Sequence, residues 1–160
     1  MDAITSADEH FRSGHSELEA GQHAQALEHF RTAQRLDPTS ARYRSYFGLC
    51  LALTERRFDK ALELCRSAAK EEFYNASLYH NLARVHLAFG FKSEAIRYLR
   101  RGLMIDPQSR EIQSELERLG QRERPVLRFL RRQHRINRCF GRIRQRLRRS
   151  PACLEPARAG

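Results

Sequence analysis

Residues 7–40 read ADEHFRSGHSELEAGQHAQALEHFRTAQRLDPTS, and the same pattern returns as ARYRSYFGLCLALTERRFDKALELCRSAAKEEFYN at 41–75 and ASLYHNLARVHLAFGFKSEAIRYLRRGLMIDPQS at 76–109. The three units are 34, 35 and 34 residues long. Asp37-Pro38 recurs two periods later as Asp106-Pro107. Small residues recur in register in the first half of each unit, at Gly14, Gly48 and Ala83. In the second half they fall at Ala26, Ala61 and Ala95, followed four residues on by Phe30, Cys65 and Leu99, and three beyond that by Ala33, Ala68 and Gly102. Two helices cross closely only where small side chains let the backbones approach, and bulky residues one turn away fill the grooves beside the crossing. A period of this length, carrying two such helical stretches, predicts a stack of helix hairpins.

Apolar residues support the helical reading at Ala24, Leu27 and Phe30, at Ala61, Leu62, Leu64 and Cys65, and at Ile96, Leu99 and Leu103. Ser40 and Asn75 stand where a helix N-cap is needed. Pro38 and Pro107 end a hairpin, because proline cannot continue a helix interior. The middle unit departs in two ways: Phe73 stands at the proline position, and one extra residue falls in the turn around 54–57. Its exit is therefore expected to be less sharply defined.

These positions resemble the tetratricopeptide-repeat (TPR) family over about two-thirds of the chain. The resemblance implies an all-α fold: an α-solenoid of three TPR hairpins at 7–40, 41–75 and 76–109. Such arrays need a polar last helix to close the exposed apolar face, and residues 110–120 supply one. Ile112, Leu116 and Leu119 are expected to face inward, and Glu111, Glu115, Glu117 and Arg118 to face water, with Gly120 as the stop. The repeat domain is then 1–120.

Charge divides the chain near the same point. Residues 1–120 carry 17 basic and 17 acidic side chains, whereas 121–160 carry 13 Arg against Glu123 and Glu155, so the whole net charge of +11 lies in the last segment. Arg outnumbers Lys 27 to 3, a global bias, so the clustering carries information and the choice of Arg does not. Residues 121–150 read as a basic amphipathic helical extension. Pro125 opens it, Ile136, Phe140, Ile143 and Leu147 form a stripe, and Arg138, Arg142, Arg144, Arg146, Arg148 and Arg149 fill the other positions as an anion-binding tail. Gly141 weakens this helix by about 1 kcal/mol. Three destinations compete for it, folding back on the array, an anionic membrane surface and nucleic acid, with an acidic protein partner as the remainder; folding back leads, because apolar residues usually find their own core first. Nucleic acid ranks last, because only Phe129 and Phe140 are there to stack on bases. The run PVLRFLRR at 125–132 is similar to a C-terminal extension of some bacterial TPR proteins and favours a bacterial source. Residues 151–160 are small, proline-containing and expected to be disordered.

No Gly-rich phosphate loop, nucleophile motif or paired carboxylates point to an enzyme, and nothing points to a cofactor or a small-molecule substrate. Metal-binding His pairs on one helix stand three or four apart; His10 and His15 are five apart, and His23/His29 and His80/His86 are six apart. Cys50 and Cys65 sit among apolar residues and read as small core residues. The polar start MDAITSADEH is no secretory signal, and the expected location is the cytoplasm.

The resemblance implies a function in protein–protein interaction, as an adaptor, co-chaperone or assembly factor. First helices of TPR arrays line a concave groove that takes a peptide of another protein. Its lining is expected to comprise Phe11, His15 and Leu18, then Arg42, Ser45, Tyr46 and Leu49, then His80, Asn81, Arg84 and Leu87. This mixture suits a peptide with apolar anchors and some negative charge. One TPR subclass grips the carboxylate of chaperone tails with Lys, Arg and Asn. The matching positions are Phe11, His15, Tyr46, Ser77 and Asn81, which lack the clamp's cations and disfavour that ligand. The alternative function is binding of an anionic surface, membrane lipid or nucleic acid, through the Arg-rich tail while the array recruits a client.

Overall fold

A computed structural model describes residues 2–120, with side chains from Ser6 onward. The expected basic extension at 121–150, with its anion-binding arginines Arg138, Arg142, Arg144, Arg146, Arg148 and Arg149, and the tail at 151–160 lie outside the described residues. The described residues form seven helices and no strand: α1 (Asp2–Glu19), α2 (His23–Leu36), α3 (Ala41–Thr54), α4 (Phe58–Glu71), α5 (Ala76–Ala88), α6 (Lys92–Ile105) and α7 (Arg110–Gly120). They belong to one compact unit, Met1–Gly120. Helices α1–α2, α3–α4 and α5–α6 pair as hairpins, and α7 packs on α6. The architecture is the α-solenoid that the repeat predicts. No described helix is long and apolar enough to cross a membrane.

The hairpin turns explain where the extra residue of the middle repeat goes. Gly21 (φ 77°), Arg56 (φ 56°) and Gly90 (φ 83°) take the left-handed conformation at equivalent places, each followed after one residue by the second helix. From Gly14 to Gly21 and from Ala83 to Gly90 is seven residues; from Gly48 to Arg56 is eight. The insertion therefore lies in the last turn of α3, and the three-residue turn that follows is unchanged. Arg56 tolerates a conformation that favours glycine. Its guanidinium donates to Ala88 O at 2.7 Å and lies 4.4 Å from the Phe89 ring centroid, which ties the strained turn to the next repeat.

The exit of the middle repeat is as well defined as the others, contrary to the expectation from its missing proline. Helices α2, α4 and α6 each span 14 residues and are each followed by four residues before the next helix. At the proline-containing exits an Asp folds back on its own loop: Asp37 Oδ1 accepts from Thr39 N at 3.0 Å, and Asp106 Oδ1 accepts from Gln108 N at 3.1 Å. In the middle repeat the Asn75 side-chain amide donates to Glu72 Oε2 at 2.9 Å, and Asn75 N donates to Glu72 O at 3.1 Å. A hydrogen-bonded loop replaces the proline. The expected caps are present: Ser40 Oγ accepts from Tyr43 N, and Asn75 Oδ1 from Ser77 N.

The register of small and large residues produces the core. Ala26, Ala61, Ala95, Phe30, Cys65 and Leu99 are all fully buried, as are Ala33 and Ala68. Gly48 is where α3 meets α4 most closely: a Cβ there would lie 3.0 Å from Ala61 O, Cys65 Sγ and Leu64 Cβ at once. Burial of side chains such as Phe30 and Leu99 contributes about 2–3 kcal/mol each. Cys50 and Cys65 are buried free thiols, each pushed up to about 12 by burial. Ile112 closes the last repeat against Ala83, Ala95 and Leu99, with Leu116 and Leu119 half-buried beside it.

Candidate functional site

Helices α1, α3, α5 and α7 share one concave face, because each is the first helix of its repeat and α7 occupies that place in an incomplete fourth. Their side chains line a cavity of about 290 Å³, formed by His15, Leu18 and Glu19 of α1, Tyr46 of α3, His80, Asn81 and Arg84 of α5, and Glu111, Ser114, Glu115 and Arg118 of α7. A second cavity of about 640 Å³ adjoins it, lined by Tyr74, Asn75, Ala76, Ser77 and His80 and by Ile105, Asp106, Ser109, Arg110, Glu111 and Ile112. His80 and Glu111 line both cavities.

Six of the eleven expected groove residues line the first cavity: His15, Leu18, Tyr46, His80, Asn81 and Arg84. Phe11, Ser45 and Leu49 are buried in the core, and Leu87 packs against the last repeat's cluster. These four are corrected as lining residues. A first helix needs a wider apolar stripe than its groove face, because it packs against its own hairpin partner and against the preceding repeat. Asn81, expected to grip a ligand backbone, is only 1% exposed, and its side-chain amide donates to Ser45 Oγ at 3.2 Å. Two polar groups buried between α3 and α5 satisfy each other, so Asn81 holds repeats together beneath the cavity. Arg42 is exposed at the edge, its guanidinium 3.9 Å from the Phe11 ring centroid.

Tyr46 is the centre of the α1–α3 half. Its ring contacts Phe11, His15 and Phe30, with centroids 5.1, 5.6 and 5.3 Å away. Burial raises its phenol above the ordinary range; Glu111 across the cavity adds to this, and Arg42 and Arg84 oppose it. His15 faces Glu19 at 3.5 Å. On the α5–α7 side, His80 lies between two carboxylates, with Nε2 3.4 Å from Glu115 and Nδ1 3.7 Å from Glu111. Glu115 is also paired with Arg118. The hydrogen bond from His80 holds the Glu115 carboxyl below its usual value against the opposing effect of burial, with Arg118 assisting.

Glu115 thus turns into the groove rather than facing water, and its hydrogen bond to His80 links α7 to α5. The sequence pattern marks α7 as a polar helix that closes the apolar face of the array. A signal was present: adding one period of 34 to Ser77, His80, Asn81 and Arg84 gives Glu111, Ser114, Glu115 and Arg118, the four residues that α7 contributes to the first cavity. Within the cavity, Arg84 has no carboxylate at ion-pair distance among the described residues, whereas the acids Glu19 and Glu115 do have basic neighbours. No cluster of three metal-capable side chains occurs among the described residues.

Comparison with known proteins agrees with this geometry. Two family models, both described as tetratricopeptide repeat, match residues 11–77 and 52–119. A comparison with curated proteins finds no match. Among solved structures, the TPR domain of Arabidopsis OM64 is 19% identical, with 73% of this chain and 96% of that chain covered and a TM-score of 0.57. The first TPR of Spaghetti (RPAP3), bound to the HSP90 peptide SRMEEVD, is 18% identical, covering 74% and 93%, with a TM-score of 0.57. The TPR2B domain of yeast Sti1 in complex with pHsp70 is 20% identical, covering 73% and 98%, with a TM-score of 0.56. At these identities the structures share a fold with this chain. With the 34-residue period, the three hairpins and the two overlapping matches in agreement, the chain belongs to the tetratricopeptide-repeat family.

Proposed function

We propose that this protein is an interaction module that holds an extended segment of a partner polypeptide in the groove lined by α1, α3, α5 and α7, and that it serves as an adaptor, co-chaperone or assembly factor. The observation that carries this reading is Arg84. It is a half-buried guanidinium in a concave cavity, beside the rigid Tyr46 ring, with no carboxylate at ion-pair distance among the described residues. Such a group gains most from a ligand carboxylate, which forms a charge-assisted pair. An aromatic ring with a polar tip is a common interface anchor.

Some neighbours of known structure hold chaperone peptides, SRMEEVD among them, and that ligand class is the nearest alternative within the reading. The residues disfavour it here: Phe11 and Asn81 at the clamp positions are buried, and His15, Tyr46 and Ser77 bring no permanent cation. The test is partner capture from the native host with the full chain and with Arg84→Glu, alongside thermal unfolding of both. Groove binding predicts that Arg84→Glu melts as the parent does and loses its partners. A well-folded variant that captures the same partners would remove the groove as the site.

A further inference from the structure

The middle repeat carries a feature that folding does not require. Phe73 and Tyr74 stand where the other repeats have Pro38-Thr39 and Pro107-Gln108. They are 66% and 67% exposed, and their rings meet edge to face with centroids 5.7 Å apart at 85°. The loop is held instead by Glu72 and Asn75, and the Tyr79 hydroxyl reaches this loop only through the backbone, donating to Phe73 O at 3.2 Å. Neither ring is part of the core. Aromatic residues are enriched at protein interfaces relative to the rest of the surface.

Their position is specific. Tyr74 lines the 640 Å³ cavity, which adjoins the groove at the shared residues His80 and Glu111. The two cavities follow one another along α5, the larger lined by Tyr74, Ser77 and His80 and the smaller by His80, Arg84 and Tyr46. At the smaller cavity Arg84 offers a local seat for a ligand carboxylate, while Glu19, Glu111 and Glu115 line the same cavity, and the aromatic pair gives an apolar seat at the other end. From the N-cap Asn75 to Arg84 the nine steps along α5 span about 13.5 Å at 1.5 Å per residue. An extended ligand advances about 3.3 Å per residue and covers this in about four residues.

Resting on the groove reading above, we infer that the bound partner segment extends beyond the groove onto Phe73 and Tyr74. The ligand is an extended peptide with an acidic residue paired to Arg84 and an apolar side chain, about four or five residues away, seated on the two exposed rings. Tyr74 is an anchor, and the edge between α4 and α5 is part of the binding surface.

The test uses a phage-displayed random dodecapeptide library panned on the full chain. Enriched peptides are then synthesised and titrated against the parent, Arg84→Glu and the double variant Phe73→Pro/Tyr74→Thr. The double variant restores the Pro-Thr pair of the first repeat's exit, and the Phe73 N–H makes no backbone hydrogen bond that proline would remove. Tyr74→Ser is the second variant, which leaves Phe73 and its loop untouched. The expected result is an acidic and an apolar position at the stated spacing, with affinity lowered at least about tenfold by the double variant and by Arg84→Glu, and severalfold by Tyr74→Ser. Loss with Arg84→Glu but unchanged affinity in both aromatic variants would overturn the extension and leave the groove standing. Peptides indifferent to all three variants, or no enriched peptide, would overturn the groove reading as well.

Discussion

His86 should make this protein acid-sensitive, and replacing it by leucine should remove that sensitivity. The side chain is 4% exposed, and neither ring nitrogen has a hydrogen-bond partner. It stacks on Tyr98 (centroids 5.3 Å apart, planes at 19°) with the Phe58 and Phe91 rings against it. Burial lowers its pKa, the Arg66 charge lowers it further, and Glu94 opposes. With the folded-state pKa depressed, the unfolded chain binds the proton more readily. Stability is full above the ordinary histidine value of about 6.5 and is lost as pH falls below it toward the folded value. Each pH unit in that window removes at most about 1.4 kcal/mol. Leucine is a fair replacement, since Leu51 is the buried residue one period earlier. At pH 7.5 the two effects of His86→Leu nearly cancel: it removes an unsatisfied buried polar group, worth about 1–3 kcal/mol, and loses an aromatic stack worth about 0.5–1.5 kcal/mol. Between pH 7.5 and 5.5 the parent should lose more stability than the variant, by at most about 1.4 kcal/mol. Urea unfolding followed by circular dichroism at the two pH values measures this double difference, in which other histidines cancel. A difference that stays constant, or shrinks, on acidification would refute the argument that His86 is held neutral by burial.

Gly48→Val should lower stability by more than about 2 kcal/mol in urea unfolding, because its Cβ alone would meet a backbone carbonyl, a buried thiol and a side chain, all at 3.0 Å. Tyr46→Ala should cost about 2 kcal/mol of stability, and Tyr46→Phe far less, because three rings lean on Tyr46; equal melting temperatures for Tyr46→Ala and parent would contradict the packing. Cys50 and Cys65 should resist a thiol reagent at pH 8 until the chain is unfolded, since both are fully buried and pushed up to about 12; peptide mapping by mass spectrometry reads each site separately. Residues 1–120 expressed alone should unfold cooperatively, as three repeats and α7 bury two apolar clusters joined through Tyr98; an aggregated or molten fragment would show that residues beyond 120 complete the core.

The hairpins were legible in the sequence because each interface repeats the same demand. A close helix crossing admits only small residues, so Ala26, Ala61 and Ala95 mark it independently of neighbours. That constraint is local in period and survives the Phe73 substitution and the inserted residue in α3. The groove was less legible. Along a first helix, periodicity gives two inward faces, one toward the core and one toward the ligand, and residue type does not separate them: Phe11 and Tyr46 are both aromatic, yet Phe11 is buried and Tyr46 half-exposed. Asn81 looked like a ligand-gripping amide until the packing of α3 against α5 brought it to Ser45. Glu115 looked solvated until α7 settled against α5 and aimed it at His80. Hydrogen bonds between residues 35 or 36 positions apart depend on the angle at which successive hairpins stack. That angle is summed over many side-chain contacts, so no short stretch of sequence encodes it, and only the tertiary structure decided which polar groups satisfy one another and which, like Arg84, face the groove.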